Sequence, residues 1–204
     1  MAIEHEAKFP LTDCRALEER LRTLGTLREP WHFESNTVYD RDGALASTDR
    51  LLRLRRALVS TLTFKAPARD CGADGVKSRL EHECRVADPA GMDLILRGLG
   101  YAPRFTYEKF RAVWTVGDAA VCLDILPFGH FAEIEGPPLV IADLARRLDL
   151  KATAVLAHSY HRLHRDWRTS RGLPPADGFA FEPAERHRLN TLLGCEARPG
   201  DEQC

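Results

Sequence analysis

Several features of other protein classes are missing from this sequence. Its 204 residues contain no apolar stretch near the roughly 18 residues that a membrane-spanning helix requires. Acidic and basic residues balance at 30 against 29, and no run of five like charges occurs, so the sequence does not predict a nucleic-acid-binding surface. The 6 cysteines lack CxxC pairs and zinc-ligand spacing, which favours reduced thiols.

The N-terminal residues also lack the pattern of a secretion signal. Glu4, His5 and Glu6 replace the basic and then apolar residues of a leader, so we expect a cytoplasmic location. The 44% hydrophobic content fits one soluble globular domain with a buried core. We expect that domain to span residues 1–168 and residues 169–204 to form a loosely held extension.

Helical periodicity appears after residues that can cap a helix. Thr12 or Asp13 can cap the first helix, and Asp88 with Pro89 can begin the second. The first two predicted helices end at Gly25 and Gly100, and the others cover about residues 141–150, 153–167 and 183–193.

The remaining periodic segments predict strands. Eight strands are enough to close a barrel. The chain also repeats itself, because Glu4–Lys8 and its helix match Glu81–Arg85 and its helix, which predicts two similar halves. The predicted strands cover about residues 2–9, 33–41, 50–57, 59–66, 77–87, 105–116, 119–126 and 130–136.

Charged residues alternate with apolar residues in these strands. Successive strand side chains point to opposite faces, so residues two apart share a face. Leu52, Leu54 and Phe64, for example, lie on the faces opposite the charges. The charged faces contain Glu4, Glu6 and Lys8; Arg53 and Arg55; Thr61, Thr63 and Lys65; Arg79, Glu81, Glu83 and Arg85; Lys109 and Arg111; Cys122 and Asp124; and Glu133 and Glu135.

Two architectures explain this alternation. In an ordinary sandwich the apolar faces meet in a core and the charged faces meet water. In the other, an α+β fold, a closed eight-stranded antiparallel barrel has a charged interior and is covered outside by amphipathic helices. The three Glu-x-Glu strands and the paired charges of both signs favour the barrel, because an exposed face would contain more Ser, Thr and Gln.

A charged interior predicts a ligand that contains both metal and phosphate. An unpaired charge taken from water costs several kcal/mol, so interior charges need partners. Carboxylates are hard oxygen donors suited to Mg²⁺ or Mn²⁺, whereas Arg and Lys suit phosphate oxygens. A metal-bound polyphosphate would satisfy both sets.

In these residues the sequence resembles the CYTH superfamily, the triphosphate tunnel metalloenzymes, from about Ile3 to Leu163. The family signature Glu-x-Glu-x-Lys is present as Glu4-His5-Glu6-Ala7-Lys8. The other motifs follow in the family's order as Arg53-Leu54-Arg55, Lys65, Glu81-His82-Glu83, Lys109-Phe110-Arg111, Asp124 and Glu133-Ile134-Glu135.

The resemblance implies the tunnel fold and a role for each motif. The catalytic candidates are Glu4, Glu6, Lys8 and Lys65. The metal candidates are Glu4, Glu6, Glu81, Glu83, Asp124, Glu133 and Glu135. The phosphate-binding candidates are Lys8, Arg53, Arg55, Lys65, Arg79, Lys109 and Arg111.

The resemblance also implies an enzyme that uses two Mg²⁺ or Mn²⁺ ions. Gly75–Arg79 and Phe128–Glu133 look closest to the class IV adenylyl cyclases, which convert ATP to cyclic AMP and pyrophosphate. The alternatives are a triphosphatase acting on inorganic, thiamine or nucleoside triphosphate, and a non-catalytic polyphosphate- or nucleotide-binding module. We expect no nucleic-acid or membrane partner, and a homodimer is left open.

Two groups near the last long helix are expected to have no chemical role. His158, His161 and His164 recur every third residue, a spacing that drifts around a helix, so we expect a solvated face. Ser159 and Tyr160 are expected to be structural.

Overall fold

The computed structural model describes residues 2–68, 77–151, 155–156 and 158–195, with side chains from residue 5 onward and without that of residue 77. The strands are β1 (Ala2–Leu11), β2 (Thr26–Asp40), β3 (Leu51–Arg56), β4 (Thr61–Pro67), β5 (Lys77–Arg85), β6 (Ala102–Val116), β7 (Ala119–Leu126) and β8 (Gly129–Glu135). The helices are α1 (Arg15–Leu24), α2 (Pro89–Gly98), α3 (Pro138–Arg147), α4 (Tyr160–Ser170) and α5 (Pro183–Leu193), and a short 3-10 helix spans Ala46–Thr48.

The strands form a closed ring in the order β1, β5, β4, β3, β2, β6, β7, β8. Every neighbouring pair is antiparallel, including the pair of β1 and β8 that closes the ring. In that pair Glu6 lies opposite Glu135 and Lys8 lies opposite Glu133. The predicted closed barrel is confirmed, and the sandwich is wrong.

The element order repeats, as the sequence predicts. β1 leads into α1 and then β2, β3 and β4, and β5 leads into α2 and then β6, β7 and β8. Each half therefore contributes a charged strand, a helix and three further strands to one ring.

The hydrophobic core lies between the outside of the barrel and the helices. Leu17 and Leu21 of α1 and Leu144 of α3 are buried in one cluster with Leu123 of β7 and Ile134 of β8. A second cluster places Leu96 of α2 against Tyr39 and Leu54. Since burying apolar surface contributes about 25 cal/mol per Å², the helices stabilise the barrel from outside and leave its interior to the charges.

The second helix begins where the sequence predicts. One carboxylate oxygen of Asp88 accepts hydrogen bonds from the backbone N–H groups of Ala90 (3.0 Å) and Gly91 (2.9 Å). Pro89 occupies the first turn, where its missing N–H costs nothing. The cap therefore fixes the point at which the chain leaves β5 and crosses the outside of the barrel.

The fourth helix is shorter than predicted. It begins at Tyr160, and the hydroxyl of Ser159 caps it by accepting from the N–H of Arg162. Leu156 instead donates its N–H to the carbonyl of Lys8 (2.8 Å), so its backbone is extended along β1. Residues 152–154 lie outside the described residues, but the predicted helix is wrong at Leu156, because the backbone of Leu156 pairs with β1.

Two strands begin earlier than predicted. β2 begins at Thr26 and β6 at Ala102. Their pairing shifts register between Leu27 and Glu29 and again between Glu29 and His32. These irregularities interrupt the alternation of side chains, which explains why periodicity alone missed the start of β2.

Residues 178–193 are packed on the barrel, so the prediction of a loosely held extension is wrong for this segment. Phe179 forms a parallel bridge with Tyr107, and the ring of Phe181 lies 5.3 Å from that of Phe110. Leu189 of α5 is buried in the main core. Residues 196–204 lie outside the described residues, and the domain boundary after residue 168 stays a prediction.

Two expectations from composition can be compared with the structure. Cys14, Cys84, Cys122 and Cys195 are free thiols, as predicted. Cys71 and Cys204 lie outside the described residues. Within the described ranges no helix is long and apolar enough to cross a membrane.

We expect Phe181→Ala to lower the free energy of unfolding by about 3–5 kcal/mol, the usual cost of removing a buried aromatic side chain. Leu192→Ala, at a side chain 57% exposed, is the matched control and should cost about 0.5 kcal/mol or less. Urea unfolding of both variants measures the difference. Equal, small losses would show that the extension contributes nothing to the core.

Candidate functional site

The barrel encloses a cavity of about 580 Å³ whose wall is lined by charges of both signs. Most of the sequence-predicted site residues line it: Glu6, Lys8, Arg53, Arg55, Lys65, Arg79, Glu81, Glu83, Lys109, Arg111, Glu133 and Glu135. Glu4 lies on β1 opposite Arg79, but its side chain is outside the described residues. Asp124 does not line the cavity.

Three carboxylates meet where β1 pairs with β8. Oxygen atoms of Glu6, Glu133 and Glu135 lie within 4.8 Å of one another. Lys8 bridges two of them, because its Nζ is 2.7 Å from Glu6 and 2.6 Å from Glu133. Register explains the grouping, since Glu6 and Glu135 are cross-strand partners and Lys8 faces Glu133.

The pKa values of Glu6 and Glu133 are shifted in opposite directions. Burial raises the pKa of Glu6 above its ordinary value, and the attraction of Lys8 does not cancel this effect. Burial also acts on Glu133, but Lys8 and Arg111 hold its pKa well below the ordinary range. A further cation near Glu6 would therefore stabilise the ionised form of its carboxyl group.

Arg111 is fixed by a fork of hydrogen bonds. Its Nε and Nη2 donate to the two oxygens of Asp124 at 2.7 and 2.6 Å, and Nη2 also donates to Glu133 at 2.5 Å. Asp124 is fully buried and accepts a further bond from the hydroxyl of Tyr160 (2.8 Å). Asp124 therefore orients Arg111 from behind the cavity wall, although it was predicted as a metal candidate.

The opposite wall of the cavity holds Arg53 and Arg55. Arg53 donates to the hydroxyls of Tyr107 (2.9 Å) and Thr63 (3.3 Å). Arg55 donates to Thr61 (3.2 Å) and to both oxygens of Glu83 (3.2 Å each).

Glu81 and Glu83 belong to this wall. Lys65 lies 2.7 Å from Glu81, and Glu83 binds Arg55. Among the described residues, neither Glu81 nor Glu83 joins the cluster of Glu6, Glu133 and Glu135. Arg79, a predicted phosphate contact, instead binds both carboxylate oxygens of Asp49 at 3.0 Å at one end of the cavity.

The comparison with known families agrees with this geometry. Residues 2–138 match the model of the CYTH domain. The chain belongs to the CYTH family. Proteins of this family bind triphosphate substrates such as ATP, are typically cyclases or triphosphatases, and depend on metal ions in their tunnels.

Solved structures share the CYTH tunnel fold at low sequence identity. A proposed adenylate cyclase from Vibrio parahaemolyticus matches with a TM-score of 0.69 and 21% identity, covering 79% of this chain and 97% of that chain. A protein from Pyrococcus horikoshii OT3 matches with a TM-score of 0.65 and 23% identity over 80% and 98% of the two chains. No curated protein matches the chain.

A third CYTH-fold structure comes from Hippeastrum. This proposed adenylyl cyclase, with a dominant triphosphatase activity, has a TM-score of 0.59 and 19% identity and covers 88% of this chain and all of its own (100%). At such identities these structures establish the fold.

Glu34, which no sequence motif predicts, lines the CYTH tunnel from β2. The residue is 1% exposed. Its cross-strand partner is Lys109, and the carboxylate lies 3.6 Å from the Lys109 ammonium. Alternation along β2 could have found it, because His32, Glu34 and Asn36 share the inward face.

Lys109 is a buried cation with little hydrogen bonding. Its Nζ lies 3.6 Å from Glu34 and 3.4 Å from Asp124, and it makes no hydrogen bond to another described residue. Its N–H donors therefore remain available to a ligand in the tunnel.

Tyr160 lies beside two predicted phosphate-binding lysines, and two of the three histidines differ from prediction. Tyr160 lines the tunnel, with Lys8 5.3 Å and Lys109 5.8 Å from the centre of its ring. His161 packs edge-on against Phe105 and Tyr107, and burial lowers its pKa to about 4. His164 is buried as well, so the predicted solvated face is wrong, since α4 closes one end of the barrel rather than lying on its surface.

The three clustered carboxylates fit a divalent cation. Hard oxygen donors within 4.8 Å of one another suit Mg²⁺ or Mn²⁺, and a bound cation would offset the burial that raises the pKa of Glu6.

Metal binding at this cluster is expected to release a proton. Below its raised pKa the carboxyl of Glu6 holds a proton that a bound metal ion displaces, so affinity should rise as pH rises from about the ordinary value of 4.5 through the raised one. Calorimetry of Mn²⁺ binding in two buffers with different ionisation heats measures the released proton. Glu6→Gln should lose the release, and an unchanged release would assign the proton to another group.

Proposed function

We propose that the protein is a metal-dependent enzyme that cleaves a triphosphate chain inside its barrel. The main support is one juxtaposition: a cluster of three carboxylates shares an enclosed cavity with buried cations that face it. Phosphoryl transfer depends on positioning and charge neutralisation, so this combination suits it.

In this proposal the carboxylate cluster binds metal. Glu6, Glu133 and Glu135 would hold a metal ion, which neutralises charge on the phosphate chain when bound. Lys8 and Arg111 keep Glu6 and Glu133 at fixed positions through contacts of 2.5 to 2.7 Å. The second metal ion stays a prediction.

The phosphate oxygens would bind to the cations with free donors. Lys109 has no hydrogen bond to a described residue, and the Nε of Arg53 is buried without a partner. An arginine can bind two phosphate oxygens at once, so Arg53 and Arg55 from β3 suit neighbouring phosphates. Lys65 and Arg79, which pair with Glu81 and Asp49 in this structure, would extend this binding along the cavity.

Cyclisation of ATP is the first candidate reaction. Phe105, Tyr107 and His161 line the tunnel and offer aromatic surface for a nucleoside beside the phosphate site. The Vibrio parahaemolyticus structure, described as a proposed adenylate cyclase, is consistent with this candidate.

Hydrolysis of a triphosphate is the second candidate reaction. Charged side chains line most of the cavity, which suits a phosphate chain without an organic group. The dominant triphosphatase activity of the Hippeastrum protein, of the same fold, favours it.

Turnover with Mg²⁺ or Mn²⁺ tests both candidates. ATP and inorganic triphosphate are supplied separately, and cyclic AMP, pyrophosphate and orthophosphate are quantified. Cyclic AMP indicates the cyclase and orthophosphate the hydrolase. Tight binding without turnover would contradict an enzyme and favour a binding module.

We expect Glu135→Gln to lower turnover at least tenfold at limiting metal, with partial recovery as the metal concentration rises, because one oxygen ligand is lost. Glu19→Gln on the exposed face of α1 removes the same charge and is the control. Equal loss at all metal concentrations would place Glu135 outside the metal site.

We expect Arg55→Lys to weaken triphosphate binding by about 1–3 kcal/mol, because lysine keeps the charge but loses the planar fork. Calorimetry with inorganic triphosphate measures the change. Arg28→Lys, at an exposed arginine near the other rim of the cavity, provides the comparison and should change affinity less. Affinity equal to that of the parent would contradict a direct contact with Arg55.

A further inference from the structure

Glu34 differs from the other carboxylates of the tunnel. It is 1% exposed, and its Oε2 is buried without a hydrogen-bond partner among the described residues. Burying a carboxylate oxygen without a hydrogen-bond partner costs free energy. If Glu34 had only a structural role, a neighbouring donor would be expected to pair with this oxygen.

The groups nearest to this carboxylate are all basic. Lys109 lies 3.6 Å away, Arg55 3.8 Å away and the Nε2 of His32 3.4 Å away. His32 is itself fixed, because its Nδ1 lies 2.8 Å from the carbonyl of Pro30. These basic neighbours disfavour a metal ion at Glu34, since a divalent cation would be repelled by the charges of Lys109 and Arg55.

The distances show what Glu34 does to the two cations. Contacts of 3.6 to 3.8 Å are attractive but too long for hydrogen bonds. Lys8, by contrast, is held at 2.6 and 2.7 Å by its carboxylates. Glu34 therefore neutralises Lys109 and Arg55 without occupying their N–H donors.

We propose that Glu34 is an internal counter-anion that competes with the substrate's phosphates for Lys109 and Arg55, and so limits affinity and speeds product release. This inference rests on the proposed function, in which both cations bind the phosphate chain. When a phosphate oxygen reaches these donors, the carboxylate of Glu34 becomes a neighbouring negative charge that repels it.

The direction in which one substitution changes anion affinity tests the proposal. Glu34→Gln keeps the shape and removes the charge, so inorganic triphosphate and pyrophosphate should each bind about tenfold more tightly by calorimetry, with stronger inhibition by pyrophosphate and a lower kcat. If Glu34 had only a structural role, Glu34→Gln would weaken the binding of both anions instead. Glu19→Gln, which removes one charge from the outer surface, should bind as the parent does.

Glu34→Asp provides a second test if the glutamine variant does not fold. The shorter side chain withdraws the charge from both cations, so affinity should rise in the same direction by about threefold. Unchanged or weaker binding in a folded variant would overturn the proposal while the parent still turns over triphosphate. A parent that binds no triphosphate would overturn the proposed function, and this inference with it.

Discussion

Closure of the sheet places every second side chain of the strands in one enclosed volume, and the charges there must compensate one another. An isolated buried ion costs several kcal/mol, so charges of one sign alone could not line this wall. β1 illustrates the constraint, because Glu6 and Lys8 share its inward face and Lys8 bridges to Glu133 on β8. The inward faces of the strands therefore need charges of both signs.

The ion pairs inside the barrel differ in their N···O distances, and short and long pairs suit different roles. Arg111 is bound to Asp124 at 2.6 and 2.7 Å, so its position is set before any ligand arrives. Lys109, on the same strand, has contacts of 3.4 Å and longer. Tight pairs hold the shape of the site, and loose pairs leave donors for an anion that the chain does not itself supply.

Much of this arrangement follows from local rules that the sequence displays directly. Alternation assigns Arg53, Arg55 and Lys65 to one face without knowledge of the fold, and a capping residue such as Asp88 marks a helix start. Alternation cannot show which carboxylates meet, because that depends on strand order. Glu81 and Glu83 repeat the Glu-x-Glu pattern but bind Lys65 and Arg55 on another wall.

Glu34 and Asp124 also show what sequence patterns cannot predict. Glu34 belongs to no charged pair in the sequence, yet its strand places it beside Lys109. Asp124 fits a family motif, yet Arg111 and Tyr160 already occupy its oxygens. Motif spacing identifies inward positions, whereas packing decides which of them reach a ligand.

The family match ends at residue 138, but the cavity does not. Ser159, Tyr160 and His161 line it from outside the matched range, and the hydroxyl of Tyr160 reaches Asp124. The carbonyl of Asp177 lies 3.1 Å from the Nδ1 of His161, so the packed extension braces this end. The barrel thus supplies the charges of the cavity wall, while α4 and the segment after it shape one end of the cavity from outside the matched domain.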